Sequence, residues 1–446
     1  MIKVLFISYQ FPPLSVGGVY RPLKFVKYFN DYQIEPFILT LPPNEYKKVY
    51  HRFQIDNNWL NEIDRVRKQI IYVPTENLLA STKNRFKNAF NLYFNFFKGR
   101  EAKFWRKSFF SIAESLIKKH DFKAIIVTAP PFSVIGLAVK LAQKNNLPLI
   151  IDMRDSMSMW VYAPYATYFH FFITKFIERY WFKKASKIIS VTEQMIKDWK
   201  RIHKRCDKSK FCVIPNGFDS NLQFSEIRLK PSDKLTIGYI GSFYYEPSNR
   251  ELMFQKWYKK TLHRKFQYVP RKEDWLYRSP FFLFKTMKFL FKKSPELKNK
   301  LFVKIAGNKP EWLIQMINKF DLNNNVELVG FLSSEKLEDF KKNCDAWLST
   351  SVKVIGGEDY CIAGKTFDYI VTSKPILAFV TNGAQKDFLL KSGMAVFCNP
   401  DKIEDAANEI EKIIKNGIVL KPNKDFIENF DRKILTQKLA NIIHSL

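Results

Sequence analysis

Short runs of β-branched and apolar residues alternate with amphipathic, helix-like segments along the whole chain. This alternation is typical of βαβ units built around parallel sheets. In the first half the pattern predicts strands at residues 4–8, 36–40, 70–73, 124–128, 149–152 and 188–191, then a short strand at Cys212 that runs into a turn. In the second half it predicts strands at residues 235–240, 302–306, 326–329, 346–350, 376–380 and 395–398.

The two series of strands are separated by the polar stretch 219–233, and 446 residues exceed what one hydrophobic core usually organises. We therefore predict two Rossmann-like α/β domains with doubly wound parallel sheets, at 1–218 and 219–428, and an amphipathic C-terminal helix at 429–446. Residues 244–277 are too many for an ordinary βα loop of about two to six residues. This insertion is either functional or a cover for an exposed sheet edge.

The chain is strongly basic, with 73 Lys and Arg against 43 Asp and Glu and a formal net charge of +30. Such an excess indicates an anionic partner: nucleic acid, an anionic membrane surface or a phosphorylated substrate. Aromatic and basic residues interleave at 91–100, 104–110 and 168–184. These runs are similar to interfacial membrane anchors, or they are core aromatics beside solvated lysines. No apolar run approaches the roughly 18–20 residues needed to span a bilayer.

The cysteines favour a reducing compartment. There are five of them, an odd number, and none forms a C-x-x-C pair. A disulfide framework or a zinc site is not expected, so we predict a cytoplasmic protein. The N-terminus has no cleavage-site pattern and is predicted to be a first buried strand, not a signal peptide. No Asp-x-Asp metal motif is present, and no metal or other cofactor is expected.

The segment 359–375 carries the clearest candidate chemistry. Gly364 and Lys365 open a predicted helix that ends just before the strand at 376–380. Free backbone amides at a helix N-terminus, with a lysine beside them, suit a phosphate group. Asp368, one turn further on, suits a sugar hydroxyl. The alternative is a surface ion pair between Lys365 and Asp368 at i,i+3 spacing.

This segment resembles the nucleotide-sugar site of the retaining glycosyltransferases of family 4, which share the two-domain GT-B architecture. The resemblance rests on a Lys-x-x-Asp-Tyr core and a closing Lys-Pro, here Lys365, Asp368, Tyr369, Lys374 and Pro375. It implies that the donor is bound by Gly364, Lys365, Thr366 and Asp368, with Asp368 on the ribose hydroxyls. The family's other carboxylate, placed near the transferred sugar, falls out of register here, and Asp359 or Glu358 stands nearest to it.

The resemblance also implies that two further segments of the second half bind the donor. Gly241 and Ser242 follow the first strand, with Ser242 where many relatives have arginine. Arg278 stands just before a predicted helix, where relatives have a phosphate-binding lysine, and a fixed cation beside helix amides suits a diphosphate. Arg250 and Arg271 are alternatives to it.

In the first half, paired glycines at Gly17 and Gly18 let the backbone approach a ligand closely. A G-x-G-x-x-G pattern is absent, which argues against a dinucleotide-dependent dehydrogenase. The resemblance places this loop in the inter-domain cleft, near the donor diphosphate. The alternative is a plain tight turn. Asn216 and Gly217 match a family turn, and Asn-Gly geometry makes a hinge their first role and cleft lining their second.

The strand at 149–152 delivers Asp152, Arg154 and Asp155 at its carboxyl end, where open α/β sheets bind ligands. The resemblance assigns Arg154 and Asp155, together with Asp359, to the catalytic region around the transferred sugar and the acceptor. The alternative is an arginine-carboxylate pair that only fixes the loop.

The resemblance as a whole implies a metal-independent, retaining glycosyltransferase whose C-terminal helix, at 429–446, returns to the N-terminal domain. Its donor would be a nucleotide diphospho-sugar, UDP- or GDP-linked, and its acceptor a glycan, in particular a lipid-linked one used in cell-surface polysaccharide synthesis. We expect the protein at the inner face of the cell membrane, bound peripherally to its anionic surface. A GT-B sugar-nucleotide epimerase is the alternative enzyme. A basic nucleic-acid-binding protein is the alternative outside enzymes, but no recognition motif supports it, and we expect no nucleic-acid partner.

Overall fold

The computed structural model describes residues 1–51, 53–77, 99–159, 165–219 and 225–446. The basic-aromatic residues 91–98 therefore lie outside the described residues. The chain divides into two compact units. The first unit contains the described residues from Met1 to Asn216 together with Arg432–Leu446, and the second contains those of Gly217–Asp431.

The first unit is built on one parallel sheet of seven strands in the order β3-β2-β1-β4-β5-β6-β7. Its strands are β1 Ile2–Ile7, β2 Ile34–Thr40, β3 Ile70–Tyr72, β4 Phe122–Ala129, β5 Leu149–Met153, β6 Lys187–Ser190 and β7 Phe211–Val213. Strands β1 and β4 are almost wholly buried, as the apolar runs of a sheet covered on both faces require.

Helices cover the sheet of the first unit at Tyr20–Phe29, Asn58–Asn61, Arg100–Lys119, Ser133–Lys144, Tyr168–Lys184 and Glu193–Ile202. The last helix of the chain, Arg432–His444, also belongs to this unit. Its apolar residues Leu435, Leu439 and Ile443 join the buried cluster that contains Leu23 and Val26 of the first helix. The C-terminal helix is therefore held by apolar packing, the usual source of helix stability in proteins.

The second unit has a six-stranded parallel sheet in the order β12-β11-β9-β13-β15-β16. Its strands are β9 Leu235–Ile240, β11 Leu301–Ala306, β12 Val326–Leu328, β13 Ala346–Thr350, β15 Ile376–Phe379 and β16 Ala395–Phe397. Its helices are Pro247–Phe254, Phe281–Lys293, Glu311–Phe320, Ser334–Lys342, Gly364–Val371, Ala384–Ser392, Ile403–Asn416 and Lys424–Glu428. Two parallel sheets covered by helices confirm the predicted α/β fold class.

Four short strands lie outside the predicted pattern. β8 Ile227–Leu229 pairs with β17 Ile418–Leu420, and β10 Glu273–Asp274 pairs with β14 Lys353–Val354, both antiparallel. The second pair matters for the site, because β10 lies near the end of the insertion 244–277. The insertion is thus tied by backbone hydrogen bonds to the segment that leads to Asp359, and it carries a helix of its own at Pro247–Phe254.

Candidate functional site

The sheet order reverses beside the first strand of each unit, between β1 and β4 and between β9 and β13. Open α/β sheets bind ligands outside the carboxyl ends of the strands at such switch points. In the second unit this position is occupied by a small pocket, which we call the lysine pocket. It is lined by Tyr239, Tyr244, Arg278, Ser349, Thr350, Ala363, Lys365 and Thr366. The structure thus brings together three residues predicted to bind the donor: Arg278, Lys365 and Thr366.

Lys365 enters the pocket from the first turn of the helix Gly364–Val371. Its Nζ donates to the Tyr239 hydroxyl and, at 3.4 Å, to the carbonyl of Ser242, and it lies 3.9 Å from the centroid of the Tyr239 ring. Burial and the nearby Arg278 lower the pKa of Lys365 to about 7, while Asp368 acts to raise it. The ammonium is therefore poorly solvated, which favours its pairing with an anion.

Arg278 is the second cation of the pocket. Its guanidinium lies 5.2 Å from the Tyr244 ring centroid and 5.4 Å from that of Trp275. An arginine has five N–H donors, yet among the described residues the only hydrogen-bond acceptor that the structure gives Arg278 is the Cys361 sulfur, at 3.9 Å. Its donors are thus available to a ligand. The helix after it begins at Phe281, and the Ser279 hydroxyl accepts the Phe281 N–H at 3.2 Å.

The other predicted donor residues surround these cations. Gly241, at φ +94°, follows β9, and a Cβ there would lie 3.3 Å from Lys365 Nζ. Gly364 is exposed, and a Cβ there would meet nothing within 4 Å, so the helix start is open. The buried Thr366 hydroxyl accepts a hydrogen bond from Gln385, and Asp368 is exposed one turn beyond Lys365.

Asp359 is buried close behind the pocket. Its Oδ1 accepts the N–H of Cys361 at 2.9 Å, and its backbone pairs with Gly383. Burial raises the pKa of Asp359 although Arg278 acts to lower it. Burial likewise raises the pKa of Glu273, which is contributed by the insertion, and the charge of Asp359 adds to that rise.

The two alternative phosphate arginines of the insertion are committed to carboxylates. Arg250 makes two 2.7 Å hydrogen bonds to Asp274, and Arg271 pairs with Glu273. The Arg271 guanidinium also lies 4.4 Å from the ring centroid of Tyr360. The two ion pairs lie within the insertion, and the contact of Arg271 with Tyr360 connects it to the segment around Asp359. The contribution of Glu273 was not anticipated from the sequence, because the strand pairing that places it is non-local.

In the first unit, Arg154 fastens the glycine loop to the ends of the strands. Its guanidinium donates to the backbone carbonyls of Gly18, Ala129 and Pro130. A Cβ at Gly18 would lie 2.6 Å from Arg154 Nη1, so a side chain there would displace the guanidinium from its present position. Gly17 is exposed, and a Cβ there would meet nothing within 4 Å. Arg154 therefore holds the glycine loop in position, and the space beside Gly17 is open.

Asp152 forms the arginine-carboxylate pair of this unit, but its partner is Arg21 and not Arg154. Arg21 donates to both carboxylate oxygens of Asp152 at 2.8–3.0 Å, and to the Pro215 carbonyl at 2.9 Å. It also reaches the Asn216 side chain at 3.4 Å. Sequence reasoning missed Arg21. Its signal was a cation in the first turn of a helix, a position that the helix dipole disfavours unless an acid lies close.

The remaining predicted site residues are Asp155, Asn216 and Gly217. Asp155 follows β5 and is half-buried. Two and three residues further on, Met157 and Ser158 donate their N–H groups to Glu178. Asn216 ends the first unit and Gly217 opens the second. In the part of the chain that the structure describes, no group of three or more His, Cys, Asp or Glu side chains could hold a metal ion.

Comparisons with known proteins agree with this architecture. Residues 70–222 match the family described as Glycosyltransferase Family 4, and residues 276–433 match Glycosyl transferases group 1. No curated protein matches the sequence.

Solved structures with the same fold cover essentially the whole chain. HepE from Anabaena in complex with UDP-glucose has a TM-score of 0.59 and 14% identity, with 100% of both chains covered. Sucrose-phosphate synthase from Thermosynechococcus elongatus has a TM-score of 0.59 and 11% identity, covering 100% of this chain and 99% of that one. The apo form of the lipopolysaccharide outer core galactosyltransferase WaaB has a TM-score of 0.54 and 12% identity, with the same coverage. The chain thus belongs to the GT-B glycosyltransferases, with a family 4 domain followed by a group 1 domain.

Proposed function

We propose that the protein transfers a sugar, with retention of configuration, from a UDP- or GDP-linked donor to a lipid-linked glycan acceptor in cell-surface polysaccharide synthesis. The observation that carries the proposal is the lysine pocket of the second unit. There, Lys365 and Arg278 meet beside the open start of a helix. Two cations and free helix amides match the two phosphates of a nucleotide diphospho-sugar.

The chemistry of the proposed reaction is mainly electrostatic. When the bond between the sugar and the diphosphate breaks, negative charge grows on the leaving diphosphate. Fixed cations in a water-poor pocket stabilise such charge more than water does, because they need no reorganisation. Lys365 and Arg278 would serve this purpose. The lowered pKa of Lys365 in the free protein would return towards its ordinary value once a diphosphate is bound.

The surrounding residues receive narrower roles in the proposal. Exposed Asp368 would accept hydrogen bonds from the ribose hydroxyls, and buried Asp359 would lie near the transferred sugar. Asp155 stays the candidate catalytic group of the first unit. Arg154 is a positioning residue, because its donors are used by the carbonyls that hold the Gly17-Gly18 loop.

The nature of the donor and acceptor is supported by fold-level likeness and by charge. Crystal structures of HepE contain UDP and UDP-glucose, and WaaB is named as a galactosyltransferase of the lipopolysaccharide outer core. A net charge of +30 favours work at an anionic membrane surface, where a lipid-linked acceptor resides. None of the described helices is long and apolar enough to cross a bilayer, so we propose peripheral attachment.

A thermal-shift screen against UDP-, GDP-, ADP- and CMP-linked sugars tests the donor site. We expect one uridine or guanosine series to raise the melting temperature of the wild type, and Lys365→Ala and Asp368→Ala to lose that rise. Lys391→Ala removes a lysine that is exposed on another helix, and it should behave as the wild type. Full binding by both site variants would refute the proposed donor site.

Incubation with the identified donor, with and without a lipid-linked glycan, tests the reaction. A transferase needs the acceptor to consume the donor, whereas an epimerase would interconvert free nucleotide sugars without one. Product analysis of the new anomeric centre then tests retention. Donor interconversion in the absence of acceptor would overturn the proposal.

A further inference from the structure

The helix Tyr168–Lys184 of the first unit, which we call the aromatic helix, has apolar residues on two opposite faces. One face is buried and includes Phe171, Thr174, Glu178 and Phe182. The other face is exposed and carries the aromatic stripe, Phe169, Phe172, Phe176 and Tyr180, whose side chains are 43–62% exposed. An exposed row of aromatic side chains opposite a buried face is unusual, because the solvent side of a helix is ordinarily polar.

The stripe is a continuous row. Its members are spaced three, four and four residues apart, which places them above one another on one side of a helix. A comparison inside the chain shows that aromatic residues need not end up this way. In the basic-aromatic run 104–110, Trp105 and Phe109 are completely buried. The stripe is therefore not the ordinary result of an aromatic-rich sequence, and large exposed apolar patches mark interaction surfaces.

Cations border the stripe along one edge. The aromatic helix and the helix Glu193–Ile202 with the turn after it enclose an open depression lined by Lys175, Arg179, Arg201, Lys204 and Arg205, which we call the basic rim. The other lining residues, Phe171 and Ile202, are apolar, so no carboxylate lines it. Asp198 pairs with Arg201 at 3.0 Å and offsets one of the five charges. The other four cations keep the rim strongly positive. Lys175 Nζ lies 5.6 Å from the centroid of the Phe172 ring, so rim and stripe adjoin.

We propose that the aromatic stripe and the basic rim together form a docking face for an anionic lipid bilayer. The rings would enter the boundary between headgroups and acyl chains, and the rim would meet lipid phosphates. The inference rests on the proposed function, because a lipid-linked acceptor requires work at such a surface. It adds which face of the first unit makes the contact.

The arrangement favours a bilayer over other anionic partners. Interfacial helices combine large apolar side chains on one side with Lys and Arg that stay at headgroup level. Here the cations stand along one edge of the row and at its C-terminal end, where Lys184 Nζ lies 5.9 Å from the Tyr180 ring centroid, and the rings project from the exposed side of the helix. Single-stranded nucleic acid also uses rings and cations, but it needs cations that follow the strand beside each stacked base. A second copy of this chain would bring two positive rims together, which is unfavourable.

Co-sedimentation of the full chain with vesicles tests the proposal. The probes are vesicles of phosphatidylcholine with about 30% phosphatidylglycerol, and vesicles of phosphatidylcholine alone. The stripe variant replaces Phe169, Phe172 and Phe176 with Gln. The matched control replaces Trp257, Leu262 and Phe266 with Gln, because these side chains of the insertion are at least as exposed, at 70–77%. The rim variant carries Lys204→Glu and Arg205→Glu.

We expect the wild type to bind the anionic vesicles, with binding that weakens as salt rises because exposed charges are screened. The stripe and rim variants should each bind about tenfold or more weakly, and the control should bind as the wild type. Absence of wild-type binding, or equal binding by the stripe variant, would overturn the inference. Preference for single-stranded RNA over vesicles, or a stripe-dependent dimer in light scattering with no vesicle binding, would also overturn it.

Nucleotide binding separates this test from the proposed function. The stripe variant should retain the UDP- or GDP-sugar affinity of the wild type, which also shows that it is folded. Vesicle binding without any nucleotide binding would leave the docking face standing and remove the proposed function. Nucleotide binding without vesicle binding would remove the docking face and leave the proposed donor site standing.

Discussion

The two ends of the helix Gly364–Val371 carry similar residues and differ in what those residues do. At the N-terminal end Lys365 lies in a pocket beside Arg278, and Gly364 is open to solvent. Just beyond the C-terminal end, Lys374 donates to the carbonyls of Lys341, Lys342 and Cys344. An ammonium has three donors, so the fold consumes all of those of Lys374. At Lys365 the structure gives, among the described residues, only a hydroxyl and a distant carbonyl.

Tyr369, in the middle of the same helix, is also committed to the fold. The Tyr369 hydroxyl accepts the N–H of Ile240 at 3.0 Å, and its ring stacks on Trp347 with the centroids 4.8 Å apart. Asp368, the preceding residue of the same helix, is exposed. One short motif thus contains both a binding end and a structural end. Four variants and conditions test that division, and they are ordered here by expected effect.

Lys365→Ala should weaken UDP or GDP binding by about 100-fold, because removing one partner of a desolvated, hydrogen-bonded charge pair costs about 2–5 kcal/mol. The melting temperature of the free protein should not fall, because this lysine holds no part of the fold together and its burial costs stability near neutral pH. Calorimetric titration and thermal unfolding measure the two quantities. A large loss of stability with unchanged affinity would reverse the assignment.

Lys374→Ala should show the opposite pattern. Three backbone carbonyls lose their donor, and unsatisfied polar groups at a partly buried site cost about 2 kcal/mol of the free energy of unfolding. Nucleotide affinity per folded molecule should stay within about twofold, since Lys374 lies outside the pocket. Chemical denaturation measures the free energy of unfolding of this variant, with Lys391→Ala as the control. Unchanged stability would show that the three carbonyls do not depend on the lysine.

Nucleotide binding should depend on pH through Lys365. With a pKa of about 7 in the free protein, this lysine is mostly neutral at pH 8, and binding of a diphosphate must restore its proton. Affinity should therefore fall as pH rises from 7 to 9, by up to about tenfold per unit. Titration at pH 8 in two buffers of different ionisation heat should reveal proton uptake. Lys365→Arg, which stays charged, should show none.

The lowered pKa of Lys365 also makes the free energy of unfolding depend on pH, in the direction opposite to that of nucleotide binding. Between pH 7 and the ordinary value of 10.5, the unfolded chain holds the Lys365 proton and the folded protein does not. The contribution of this group to the free energy of unfolding therefore rises with pH across that window and is lowest below pH 7. It should be absent in Lys365→Ala.

Tyr239→Phe should have the smallest effect. The Tyr239 hydroxyl accepts from Lys365 and donates to the Ser242 carbonyl at 3.3 Å, so it orients the ammonium without meeting the ligand's charge. We expect nucleotide affinity to fall about threefold to tenfold, as for the loss of one hydrogen bond. Titration of UDP or GDP measures it. A loss as large as that of Lys365→Ala would mean that the hydroxyl itself contacts the nucleotide.

The sequence predicted the elements well where local pattern decides them. The strands 235–240 and 346–350 were placed to the residue, and the start of the helix at Gly364 follows from its turn chemistry. Hydrophobic periodicity and helix-start signals are local, so they are readable without a structure. The prediction that Arg278 and Lys365 bind the same ligand came from a family pattern. The structure places both residues in the lysine pocket.

What could not be predicted depends on non-local packing. Arg21 meets Asp152 across 131 positions of sequence, and the adjacent Arg154 points to carbonyls instead. The insertion reaches the Asp359 segment by a two-residue strand too short to give a pattern. Whether an aromatic run is core or surface was also open, because Trp105 and Phe172 stand in similar sequences. In each case the deciding fact is which neighbour fills the space.

The central claim is that Lys365 and Arg278 recognise the diphosphate of the donor, and the most direct test compares UDP with uridine by calorimetric titration, or GDP with guanosine if the screen selects it. For the wild type we expect the diphosphate form to bind at least about 100-fold more tightly than the nucleoside. Lys365→Ala and Arg278→Ala should each lose most of that preference while keeping nucleoside affinity. An undiminished preference in both variants would contradict the account.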